Sequence, residues 1–148
     1  MENNEANIKR ALNETWGQWE YYWEQCRKQG GDVVLAPRDF KYREGDMVYI
    51  QLQVGYPHEM TFGHWCYVVK DLYNKVLIIP TTHCEGDVVE KYEMDIPVVM
   101  DGIPTFSRLQ FSDIRTVDKQ RIDSRKGVVK VCYKKKSIVE RLKEFIGG

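Results

Sequence analysis

The residues from Gly45 to Thr82 constrain the fold more tightly than any other part of the chain. Val48, Ile50, Leu52 and Val54 alternate with Met47, Tyr49, Gln51 and Gln53, the period of two expected of a half-buried strand. Gly55 and Pro57 break the pattern, and a polar loop over Gly55–Gly63 leads into a second extended run, His64–Lys70. Asp71–Lys75 supplies a turn, and Val76–Pro80 is a short, fully apolar strand closed by Thr81 and Thr82. More short extended segments follow, around Val88–Tyr92, Ile96–Met100, Ser107–Val117 and Gly127–Tyr133, with a turn signal at Asp101-Gly102. Ser137–Ile146 closes the chain as an amphipathic helix with Ile138, Leu142, Phe145 and Ile146 on its apolar face. So many short strands at close spacing predict a mainly β domain, a small barrel or strongly bent sheet with helices at its margin.

Ahead of this region, residues from about Glu5 to Lys28 read as a helix. Ile8, Leu12, Trp16, Trp19, Trp23 and Cys26 recur at steps of three and four, and Gly30 and Gly31 end the run. Burying each indole is worth roughly 2–3 kcal/mol, so the stripe is expected to pack on the barrel, on a second copy or on a partner. Stacking of RNA bases on these rings is the sharper alternative. The chain thus divides into an aromatic helix (1–31), a connector (32–44) and a barrel domain with its C-terminal helix (45–148).

The 148 residues suffice for one domain with a proper core, and the 43% apolar content excludes a disordered chain. No apolar run reaches the length of a membrane span and the N-terminus lacks a signal pattern, so no membrane partner and a cytoplasmic location are expected. Cys26, Cys66, Cys84 and Cys132 are scattered. Zinc ligation by Cys66, Cys84, His64 and His83 matches no familiar spacing, so a buried Cys66 thiol and no metal, cofactor or disulfide are expected. The 22 basic and 22 acidic residues cancel, but basic residues dominate from Arg115 to Lys143. That segment is either a phosphate-binding face or a solvated surface.

Asp113–Ile122, DIRTVDKQRI, resembles the QIRTIDKxRL signature of the MazF/PemK/Kid family of ribonuclease toxins. Gly45-Asp46-Met47-Val48 is similar to that family's opening GDIV, and Gly55–Val69 to its G-S-E-Q-G-G-x-R-P-x-L-V-V segment, with Glu59 at the Glu. Ile78–Thr82 is similar to its strand end; the N-terminal helix lies outside the likeness. The resemblance implies an SH3-like barrel, a homodimer, and a metal-independent endoribonuclease acting on single-stranded RNA and restrained by an antitoxin protein. It places Thr82 at the phosphate-binding Thr, but His64 and Trp65 stand where the family has Arg-Pro. Ser112 stands where some members carry an acid, and Gln110 replaces a basic residue. Arg115 and Asp118 are expected to fix loop or dimer geometry.

Metal-free cleavage needs a base for the 2′-hydroxyl, a donor for the leaving 5′-oxygen and charge or hydrogen bonds for the phosphorane. Arginine offers a permanent planar fork to phosphate, whereas histidine is suited to proton transfer near neutral pH. The expected catalytic set is therefore His64 as acid or base and Thr82 as phosphate donor, with Glu59 or His83 as the second proton carrier. His58, Thr81, Ser112, Lys119 and Arg121 are the expected RNA contacts. The competing expectations are a barrel that binds RNA or protein without cutting, and an inhibitor of a protein target in the manner of CcdB-like toxins.

Overall fold

In the computed structural model, residues 4–28, 41–52, 56 and 58–147 are described. The elements in chain order are α1 (Asn4–Lys28), β1 (Met47–Gln51), β2 (Gly63–Asp71), β3 (Lys75–His83), β4 (Glu93–Met100), β5 (Ile103–Gln110), β6 (Arg115–Asp118), β7 (Val128–Val131) and α2 (Lys135–Gly147). The strands run in the order β2-β1-β7-β4-β5-β3, and β3 pairs again with β2, so six antiparallel strands close on themselves. β6 joins β3 outside this ring. The result is a small SH3-like barrel with a helix at each end of the chain.

Closure depends on β3 changing partners along its length. One edge pairs with β2 over Val76–Pro80, while the other pairs first with β6 over Lys75–Ile78 and then with β5 over Thr81–His83. A register shift between Val68 and Lys70 adds the local twist that such bending requires. Two turns are built on left-handed residues. Asp101 (φ 51°) and Gly102 (φ 75°) form the two-residue loop between Met100 and Ile103, a geometry that Asp-Gly favours. Tyr73 (φ 79°) turns β2 into β3, its N–H held 2.9 Å from the Asp71 carboxylate.

Two apolar clusters lie on opposite faces of β1 and β2. Met47, Tyr67, Ile79, Ile96, Leu109 and Phe111 fill the barrel, with Ile138 and Leu142 of α2 packed among them. Val48, Ile50, Cys66, Val68, Val76 and Ile78 form the second cluster, which Val117 of β6 completes. This is why Met47 and Val48 are both buried, although a half-buried strand was expected to hide only one of them. Burial pushes the Cys66 thiol far above its ordinary range, as expected of a core cysteine.

Tyr67 lies wholly inside the barrel, and its hydroxyl has no hydrogen-bond partner among the described residues. Burial, followed by the charges of Asp46 and Glu44, pushes this phenol up to about 12. A buried, unsatisfied hydroxyl costs about 1–3 kcal/mol. Tyr67→Phe is accordingly expected to raise unfolding free energy by about 1 kcal/mol, read as a higher urea midpoint at unchanged slope. A lower midpoint would mean that the hydroxyl does useful bonding.

Several expected elements are redrawn. Val88–Tyr92 is not a strand: Val88 and Val89 are exposed, Glu90 and Glu93 form a turn, and β4 begins at Glu93. Ser107–Val117 is not one extended run, because a 3-10 turn at Phe111–Asp113 separates β5 from β6. The α2 face comprises Ile138, Leu142 and Phe145, while Ile146 is exposed. The stop at Gly30-Gly31, the connector up to residue 40, and Gln53–Gly55 and Pro57 lie outside the described residues.

Of the three places expected for the stripe of α1, one is ruled out. Its aromatic stripe is not buried on the barrel: Ile8, Leu12, Trp16, Trp19 and Trp23 are 45, 51, 67, 61 and 66% exposed. The helix meets the barrel with its opposite side. Arg10 stacks 3.9 Å above the Phe62 ring, and Arg10, Gln18, Tyr21, Tyr49, Gln51 and Phe62 line the groove between helix and barrel. Gly63 serves this contact, since Tyr49 occupies the space that a side chain there would need. Among the described residues, no helix is long and apolar enough to cross a membrane.

Candidate active site

β2 begins, β3 ends and the Phe111–Asp113 turn sits at one rim of the barrel, and most of the expected chemistry gathers there. His64, the second residue of β2, is half-buried. Its Nδ1 lies 3.1 Å from the Thr81 carbonyl and its Nε2 lies 2.9 Å from the Thr61 carbonyl. Both nitrogens thus lie within hydrogen-bond distance of a backbone carbonyl, and neither points freely to a substrate. The ring is therefore clamped between the β1–β2 loop and β3. Its place in the cluster is that of a fixed group rather than a swinging proton carrier.

Beside it stands a carboxyl that the sequence reading passed over. Asp113 ends the 3-10 turn after β5, and burial raises it above the usual carboxylate range. A hydrogen bond from Ser112 Oγ (3.4 Å) and the neighbouring His64 work against that rise, whereas the charge of Glu59 adds to it. Asp113, His64, Glu59 and Ser112 thus share one small region. An acid had been sought at Ser112; it stands one residue later, at the first position of the DIRT motif. A carboxyl with a raised pKa beside specific charged partners marks a candidate proton carrier.

The remaining expected residues divide. Thr82 Oγ1 accepts a 3.1 Å hydrogen bond from Gln110, whose amide also donates to Glu93 at 2.7 Å. Glu59 folds back on its own loop and accepts from the Tyr56 N–H at 2.8 Å. His58 and His83 are exposed, on the β1–β2 loop and at the end of β3. Thr81 was expected to touch RNA but is buried, donating to the Trp65 carbonyl at 2.7 Å across β2 and β3. Lys119 is likewise no surface cation, because its ammonium is buried 2.7 Å from the Asp71 carboxylate. Both side chains serve the fold, and their burial removes them from any phosphate.

Arg121 is the exception among the basic candidates. It reaches the Gln51 carbonyl at 3.3 Å, and its pKa is lowered by burial and then by the nearby charge of Arg115. Two like charges held close together form a natural seat for an anion. Arg115 starts β6 two residues after Asp113 and is exposed. The sequence reading had given it a structural role only. Arg108, by contrast, is buried against Asp95 at 2.7 Å and also donates to the carbonyls of Glu85 and Gly86, a bracing contact for the loop after β3.

No group of three or more His, Cys, Asp or Glu side chains is arranged to hold a metal ion among the described residues. Compared with protein-family models and with curated protein sequences, the chain matches none. The fold and this rim together define a small β-barrel carrying a raised carboxyl, a clamped imidazole and a pair of arginines.

Proposed function

We propose that the protein is a metal-independent endoribonuclease of the MazF/PemK kind, cutting single-stranded RNA by attack of the 2′-oxygen on the adjacent phosphorus. The observation that carries this reading is Asp113, a partly desolvated carboxyl within the electrostatic reach of His64 and Glu59. Its raised pKa brings it nearer the working pH, where a general base is most effective. In this mechanism Asp113 takes the 2′-proton, the 2′-oxygen bonds to phosphorus, and the 5′-oxygen leaves, taking a proton from water. Arg115 and Arg121 supply positive charge to the phosphorane, while His64 and Thr82 fix the loop and strand end that shape the site. An antitoxin that covers this rim is the corresponding protein partner.

Incubation of the protein with a long single-stranded RNA in EDTA tests the reading. Discrete cuts ending in 2′,3′-cyclic phosphate are expected. Cuts that leave 5′-phosphates, or that appear only with added magnesium, are incompatible with it. A second reading, a barrel that binds RNA without cutting it, is favoured by the tied state of the His64 nitrogens. RNA retention with no product from folded protein selects that second reading.

A further inference from the structure

We propose that the aromatic stripe of α1 pairs, antiparallel, with the same stripe of a second copy of this chain. The inference is independent of whether the barrel cuts RNA. It begins with the side of the helix turned away from the groove, where the stripe is exposed. The groove side of α1, with Arg10, Gln18 and Tyr21, faces the barrel, and at 3.6 residues per turn the stripe lies about half a turn away. The stripe therefore points outward, where a second helix can approach without meeting its own barrel. Aromatic side chains bury about 150–250 Å² each. At the exposures given above, the stripe offers roughly 500 Å² per copy and about 1,000 Å² per pair, the size at which specific association begins.

The spacing of the stripe identifies the occupant. Running a copy in the opposite direction about a two-fold axis between Thr15 and Trp16 sets Ile8 against Trp23 and Leu12 against Trp19. Trp16 then meets its own copy near the axis. Each outer level matches a bulky indole with a smaller aliphatic chain, the alternation that lets facing side chains interdigitate. Charge gives the direction. Lys9 and Glu20 flank the stripe on the same side, so antiparallel pairing sets Lys9 of one copy near Glu20 of the other, twice over. Parallel pairing would carry Lys9 of one copy and Glu20 of the other to opposite flanks of the pair, where they cannot meet. Their present partners lie on the same exposed helix, Lys9 with Glu5 at 3.0 Å and Glu20 with the Trp16 indole at 2.6 Å, and such contacts are readily exchanged.

Sedimentation of the full chain over micromolar concentrations, with circular dichroism as a folding control, tests the proposal. Wild type is expected to associate, and Trp19→Ala to weaken association by about a hundredfold, as loss of a central aromatic anchor does. Lys9→Glu alone and Glu20→Lys alone are each expected to weaken it about tenfold, and the double variant Lys9→Glu/Glu20→Lys to restore it. A monomeric wild type overturns the proposal. So does a dimer that Trp19→Ala leaves intact, since association would then use another surface. Association that Trp19→Ala weakens but that Lys9→Glu alone and Glu20→Lys alone leave unaltered overturns the antiparallel register.

Discussion

Asp113→Asn is expected to slow RNA cleavage by about a hundredfold to ten-thousandfold, the range that a positioned proton carrier contributes. The same substitution should leave the folded barrel no less stable at neutral pH. Burial raises the Asp113 carboxyl, so the fold favours its neutral form. The unfolded chain ionises more easily, and above the raised folded pKa the native state carries a penalty that vanishes below the unfolded value of about 3.9. Asparagine removes the charge and with it the penalty. Cleavage by the wild type should rise with pH through that raised carboxyl value, and the variant should lose this limb. Full activity in Asp113→Asn would place the base elsewhere, whereas a large loss of both stability and activity would make Asp113 structural.

The second large effect is expected at Lys119. Its ammonium and the Asp71 carboxylate are 3% and 15% exposed, and Asp71 also accepts the N–H groups of Tyr42 and Tyr73. Removing one partner of a buried pair leaves the other charge uncompensated, so Lys119→Met should cost about 3–5 kcal/mol. The melting temperature should fall by roughly 10–20 °C. Burial alone would raise Asp71, but hydrogen bonds from Lys119, Tyr73 and Tyr42 outweigh it and hold the carboxylate below its ordinary range. A depressed carboxylate contributes stability above its unfolded pKa and loses it as pH falls through the folded value. The wild type should therefore weaken in acid, and Lys119→Met should weaken less steeply. A variant that melts like the wild type but binds RNA less tightly would return Lys119 to the surface role first expected of it.

The contrast between Lys119 and Asp113 shows where sequence reading reaches its limit. The strands around Cys66 and Ile78 could be read because a core buried on both faces demands continuous apolar runs. Asp101-Gly102 could be read because its turn is chemically local. Val88 and Val89 misled because apolar character does not reveal whether a neighbouring strand exists. The turn at Phe111–Asp113 was hidden within a run that looked extended, and it is this turn that carries Asp113 to the rim. Thr81 and Lys119 look like surface donors until Trp65 and Asp71, distant along the chain, come to meet them. The α1 periodicity identified a helix and its apolar stripe, but not which side meets the barrel. An aromatic stripe fits a core and an association surface equally well.

Because β3 returns to β2, the strand order closes on itself among the described residues, and β6 forms a flank outside that ring. That flank is four residues long and begins and ends on charged side chains, Arg115 and Asp118. Short, charged strand edges discourage backbone pairing between molecules. At this flank, therefore, a partner cannot readily add a strand to the sheet, nor can a misfolded neighbour use it as a template. Recognition beside β6 is left to side chains, and specificity at that face must be written in them.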